Sequence, residues 1–156
     1  MYWVRKYVIG GSPIPYTEDE IDEWVKNGVK RVLILPEDWE IEEAWGSVDY
    51  YLSVLKSKGL EFYRSPIPDG YPPTLDQFLK IYNWLKNGKN NLVHCVGGMG
   101  RTGTIIASYL VLKEGLDAES AIEEVRAKKP GAVQSYEQEL FVFEVERLRE
   151  RLRSSY

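Results

Sequence analysis

The chain has 156 residues, 44% hydrophobic and 28% charged, with 24 acidic against 20 basic side chains and a formal net charge of -4. That length suits one domain with a sizeable core, so a single domain over residues 1–156 is expected. The acid excess argues against a nucleic-acid backbone as partner.

One Cys excludes an internal disulfide and leaves no argument for secretion; one Cys with one His excludes a zinc site built from those ligands. The opening MYWVRKYVIGG lacks the apolar core of a signal peptide, and no run approaches a membrane span. A cytoplasmic monomer that touches no membrane is the expectation.

In chain order, residues 2–9 read as a first strand and GGSPIP as a turn. Thr17 with Glu20 forms a capping box for a helix running to Asn27-Gly28. VKRVLIL, residues 29–35, is a β-branched strand that Pro36 stops. The acidic stretch 36–47, with Asp38, Glu40, Glu42 and Glu43 around Trp39 and Trp45, reads as a surface excursion and a solvated face. A helix over about 47–58 follows, then the strand LEFYRSP and the Pro-dense loop PIPDGYPPT, residues 66–74. Next come a helix from Leu75 to about Lys86 and the short strand NLVHC. Three further helices are expected: a buried one over 101–114, one over about 117–129 and a last over about 135–153. The last carries Leu140, Phe141, Leu148 and Leu152 at helical spacing. Strands alternating with helices predict an α/β fold with an open, mostly parallel central sheet flanked by helices.

The chemistry concentrates in NLVHCVGGMGRTGTIIASYLVL, residues 91–112, which joins the only His, His94, to the only Cys, Cys95. Between Cys95 and Arg101 lie Val96, Gly97, Gly98, Met99 and Gly100. Glycines let successive backbone N–H groups turn inward as an anion nest, and the following helix adds its positive end. Arg101 can grip two oxygens of a phosphate through its rigid fork. The same nest favours a thiolate, so the loop holds an oxyanion while the sulfur attacks it. His94 is expected to shape the loop and support the thiolate by hydrogen bonding rather than act as a base. The Thr102 hydroxyl is placed either to bond the sulfur or as an ordinary first-turn residue. A nucleotide P-loop is excluded because no GKS or GKT element follows the glycines.

HCVGGMGRT, residues 94–102, resembles the HC-x5-R-[S/T] signature of the cysteine-dependent protein tyrosine phosphatase superfamily. The likeness extends to PIPDG at 66–70 and GAVQSYEQ at 131–138, and is greatest to its compact archaeal members. Val96-Gly97 and Lys129 depart from common residues of the family without removing a reacting group.

The resemblance implies a phosphatase that forms a phosphocysteine intermediate without metal or other cofactor and releases inorganic phosphate. Its expected partners are phosphotyrosine-containing proteins or peptides. The alternatives are a dual-specificity phosphatase that also accepts phosphoserine and phosphothreonine, or a phosphoprotein-binding module without turnover. It also implies site roles. Asp69, by itself an ordinary Asp-Gly turn residue, takes the place of the general acid. Gln134 takes that of a water-orienting residue, with Gln138 in support, and Glu40 is a candidate auxiliary acid. Tyr71 is either a pocket wall or ordinary loop packing, and Trp39 and Trp45 are further candidates for aromatic walls.

Overall fold

The computed structural model describes residues 1–155. Its elements in chain order are β1 (Tyr2–Arg5), β2 (Ile9–Ser12), α1 (Glu18–Lys26), β3 (Arg31–Ile34), α2 (Asp38–Trp45), α3 (Val48–Ser57), β4 (Glu61–Arg64), α4 (Leu75–Lys86), β5 (Asn91–His94), α5 (Gly100–Glu114), α6 (Ala118–Lys128) and α7 (Tyr136–Ser155). The sheet runs β1-β2-β5-β3-β4. β1 and β2 are antiparallel, and every other neighbouring pair is parallel.

Side chains alternate across the sheet with the period of two that a strand imposes. Leu33 and Val93 face one cluster, built largely from α4, α5, α6 and α7. Val32, Ile34 and Leu92 face a second cluster with Ile21 and Trp24 of α1, Ile41 of α2 and Tyr51, Val54 and Leu55 of α3. The sheet is therefore sandwiched between two helical layers. Residues Gly100 to Leu112 of α5 are all buried, which makes it the central helix behind the sheet.

Helix limits follow caps that are legible in the sequence. Thr17, Ser47 and Thr74 each accept the N3 backbone N–H through their hydroxyls, and Asp117 does so through its carboxylate. Gly115 closes α5 in the left-handed conformation at φ 77°.

Three expectations are corrected. Residues 2–12 form a hairpin rather than one strand followed by a turn, with Gly10, Gly11 and Ser12 in its second strand, because Tyr7 takes a positive φ of 61° and turns the chain, with its carbonyl accepting from the Asn90 N–H. The acidic stretch is a helix rather than an excursion: Glu37 and Glu40 form a capping box that starts α2, and although Asp38, Glu42 and Glu43 are exposed as expected, Glu40 and Ile41 are buried. Leu140 lies on the exposed side of α7, while Phe141 and Leu152 are buried and Leu148 packs on the core.

Candidate active site

Parallel α/β sheets gather ligands beyond the carboxyl ends of their strands, and β5 ends at His94, immediately before the glycine loop. Cys95 is 2% exposed, and its Sγ receives hydrogen bonds from the Gly98 N–H at 3.3 Å and the Thr102 hydroxyl at 3.1 Å. Both donors favour negative charge on sulfur. Gly98 sits at φ +75°, and a Cβ there would lie 2.7 Å from the Pro13 nitrogen, so no other residue fits without moving the chain. The loop is thus wedged against the end of β2, where Ile14 N–H also donates to the Val96 carbonyl at 3.0 Å.

His94 is completely buried. Its Nδ1 is 2.9 Å from the Cys95 carbonyl, which can only accept, so Nδ1 carries the proton. Nε2 then accepts from the Tyr51 hydroxyl at 2.8 Å. Burial lowers the His94 pKa from 6.5 to about 4; the bond to the Cys95 carbonyl opposes this and the Arg101 charge adds to it. The ring is neutral at physiological pH and braces the backbone of the cysteine.

Arg101, at the start of α5, is 2% exposed. Its Nη1 and Nη2 donate to Glu40 Oε1 and Oε2 at 2.7 and 2.8 Å, a two-pronged ion pair, and Nη1 also donates to the Ile67 carbonyl at 2.8 Å. Burial works to raise the Glu40 pKa, but hydrogen bonds from Arg101 and the Glu37 N–H hold it below the ordinary carboxylate value. The Arg101 Nε is buried and has no hydrogen-bond partner among the described residues. The guanidinium edge formed by Nε and Nη2 is consequently the one left for an anion. Asp69 Oδ1 stands 3.6 Å from Nη2 with its side chain 77% exposed, so the carboxylate hangs over that edge from the loop 66–74.

The segment after α6 completes the surround. Val133 takes φ 59° and its N–H donates to the Met99 carbonyl at 3.2 Å, docking the turn on the loop. A Cβ on Gly100 would lie 2.8 Å from Gln134 Oε1, so the Gln134 amide rests over the start of α5. Gln138 is buried, and its Oε1 accepts from the Gln134 and Ser135 N–H groups at 2.9 and 3.0 Å.

Beside Asp69 lies a cleft of about 450 Å³ lined by Ile14, Tyr16, Trp39, Glu40, Glu43 and Val96, among others. Trp39 stands on it, whereas Trp45 donates to the Pro15 carbonyl at 2.7 Å and packs on Tyr51 with ring centroids 5.2 Å apart. Tyr71 is exposed and is not among the residues lining this cleft; its carbonyl accepts from the Gln138 amide at 3.4 Å.

The structure therefore brings Cys95, Thr102, Arg101, Asp69, Gln134, Gln138, His94 and Glu40 to one end of the sheet. Sequence reasoning passed over Tyr16 and Tyr51. The position of Tyr16 just before the Thr17 cap carried a usable signal, since that loop follows β2 at the same sheet end. No cluster of three or more His, Cys, Asp or Glu able to hold a metal ion occurs among the described residues. No helix among them is long and apolar enough to cross a membrane.

Residues 1–142 match the family model described as "Swiss Army Knife protein, DSP-PTPase phosphatase domain". The chain belongs to this family of cysteine-dependent protein tyrosine phosphatase-superfamily hydrolases.

Crystal structures of Tk-PTP superpose on it. A mutant form has TM-score 0.82 and 33% identity over 96% of this chain and 97% of that one. The form described as active has TM-score 0.77 and 36% identity, over 91% and 95%. Among curated relatives, protein tyrosine phosphatase domain-containing protein 1 of Danio rerio is 36% identical over 87% of this chain and 20% of its own length. Cyclin-dependent kinase inhibitor 3 of Rattus norvegicus is 26% identical over 81% of this chain and 62% of its own. The chain thus spans less than two thirds of either relative's length.

Proposed function

We propose that this protein is a dual-specificity phosphoprotein phosphatase that works through a phosphocysteine intermediate and uses the residues gathered around Cys95. The observation that carries the reading is the Cys95 sulfur at the floor of the glycine loop, receiving two hydrogen bonds, beside a buried Arg101 whose Nε donor is uncommitted.

In the first step the Cys95 thiolate attacks phosphorus and the bond to the substrate oxygen breaks. Asp69 gives its proton to that oxygen, so the product leaves as a neutral alcohol or phenol. The N–H groups of Val96 to Arg101 and the Nε/Nη2 edge hold the three remaining phosphate oxygens as charge develops. In the second step Gln134 orients a water, Asp69 takes its proton, and the new P–O bond displaces the sulfur. The Thr102 hydroxyl, already on Sγ, stabilises the departing thiolate, and inorganic phosphate is released. Glu40, ionised in its pair with Arg101, serves as that residue's anchor rather than as a second acid.

The width of specificity follows from the cleft. Tyr16 and Trp39 are 59% and 58% exposed, so they stand at its rim and offer an aryl ring a face without forming a closed sleeve. A phosphotyrosine ring gains those contacts, and a shorter phosphoserine or phosphothreonine still reaches the loop. The family description, with its dual-specificity element, supports the broader reading over strict tyrosine specificity.

Matched peptides carrying each phosphoresidue should all be turned over, phosphotyrosine fastest. Cys95→Ser should retain phosphate binding and lose turnover. Hydrolysis confined to phosphotyrosine would restore the strict reading, and a fully active serine variant would overturn the mechanism.

A further inference from the structure

The phosphate-binding loop is also tied from outside. Tyr2, on the edge strand β1, is the antiparallel partner of Gly11 on β2. A Cβ on Gly11 would lie 2.4 Å from the Tyr2 hydroxyl and 2.8 Å from the Thr102 methyl group, closer than side-chain carbons approach. Glycine at 11 therefore clears the path by which the phenol lies across β2 toward the start of α5. At the end of that path the Tyr2 hydroxyl donates to the Gly98 carbonyl at 2.7 Å, 96 positions away in sequence. Burial, and next the Cys95 charge, raise the Tyr2 pKa above its ordinary value, so the phenol remains a donor throughout the working range.

Gly98 is the residue of the loop most in need of such a tie. At φ +75° and without a side chain, it leaves the peptides on either side comparatively free to rotate. The peptide before it carries the N–H that donates to Cys95 Sγ. The peptide after it carries the carbonyl held by Tyr2. Because a trans peptide points its carbonyl and N–H in opposite directions, turning the Gly98 carbonyl to Tyr2 turns the Met99 N–H away from Tyr2.

We propose that Tyr2 is a positioning residue of the phosphate-binding loop. Its hydroxyl fixes the Gly98–Met99 peptide so that the Gly98 N–H stays on the sulfur and the Met99 N–H faces the bound oxyanion. Tyr2 touches neither substrate nor sulfur in this role and acts through Gly98. The proposal rests on the loop being the phosphate seat, as the function above requires.

Tyr2→Phe keeps the ring and removes only the donor, and iodoacetamide labelling of Cys95 with inorganic phosphate as protectant reads the loop directly. In the wild type, phosphate should slow labelling. In Tyr2→Phe the phosphate concentration for half-protection should rise about three- to tenfold, the scale of one hydrogen bond to a charged system. Labelling without phosphate should slow as well, since the Gly98 N–H that steadies the attacking sulfur would no longer be held in place. Tyr7→Phe, which removes an exposed hydroxyl in the same hairpin, should leave both unchanged. Gly11→Ala, which crowds both the phenol and the Thr102 methyl, should weaken protection at least as much as Tyr2→Phe. Wild-type protection that is unchanged in Tyr2→Phe would overturn the proposal, including where the variant's Tm falls, because Tyr2 would then be structural only. Absence of phosphate protection in the wild type would instead overturn the phosphatase reading, and this proposal with it.

Discussion

His94 has both ring nitrogens occupied by the Cys95 carbonyl and the Tyr51 hydroxyl, in a site closed to water. A second proton would put a charge on a ring that no water solvates, and that burial is the main reason its pKa falls to about 4. Above pH 6.5 the ring is neutral in folded and unfolded chains alike, and its burial carries no proton penalty. Between 6.5 and about 4 the unfolded chain binds a proton that the folded chain does not, so stability falls as pH falls through that window. The whole window is worth about 3 kcal/mol, and the portion from about pH 6.5 down to about pH 5 is worth about 2 kcal/mol. Urea unfolding across that upper portion, where carboxylates contribute little, should show this slope in the wild type. It should flatten in His94→Asn, which keeps a donor for the Cys95 carbonyl but cannot titrate. An equal slope in both would mean that the pH dependence arises elsewhere.

The chemistry of Cys95, Arg101 and Thr102 was legible because one turn of chain holds all three. The Glu40 anchor was not, since 61 positions separate it from Arg101 and its neighbours read as solvated acids.

At the scale of elements, two loops meet beside the start of α5. The acid loop turns at Gly70, with φ 83° and the Tyr71 N–H donating to the Pro68 carbonyl at 3.1 Å. Ser135, at the start of the last helix, donates its hydroxyl to the Gly70 carbonyl at 2.8 Å, and Gln138 reaches the Tyr71 carbonyl. The segment carrying Gln134 therefore also holds Asp69 in place. Ser135→Ala removes the bond to Gly70 and also the cap of α7, since the Ser135 hydroxyl accepts from the Gln138 N–H at 3.1 Å, so Tm should fall by a few degrees. With the acid less well placed, kcat should fall about three- to tenfold on aryl phosphates with poor leaving groups and little on activated ones. A leaving-group series would read this, and a uniform loss across it would assign Ser135 no part in placing Asp69.

Sequence carried the elements themselves better than their junctions. Helix α4 runs from Leu75 to Lys86 as expected, and the structure shows its start held by a capping box of Thr74 and Gln77. The Tyr7 turn was hidden because its partner is Asn90, across the sheet edge.

For the whole molecule, the proposed function makes charge the property that should decide which phosphorylated surfaces approach. The chain carries a formal net charge of -4, Glu40, Glu43 and Asp69 line the cleft with no Lys or Arg beside them in its lining, and Arg101 is buried and paired with Glu40. An incoming phosphopeptide thus meets an acidic rim before it meets the loop, whose attraction acts only at contact range. Acidic residues beside the phosphoresidue are repelled at that rim, and Lys or Arg there are attracted. Salt screens charges separated by more than about 10 Å at 0.1 M, so it should weaken the rim more than the buried loop. Raising ionic strength from about 20 to about 200 mM should increase kcat/KM for a phosphopeptide with acidic flanks and decrease it for one with basic flanks. The two rates should converge without meeting, because close contacts at the rim survive screening. Initial rates on the matched pair at both salt concentrations test this, with Glu43→Gln expected to narrow the gap at low salt. A salt response equal in sign and size for both peptides would show that the acidic rim takes no part in choosing the substrate.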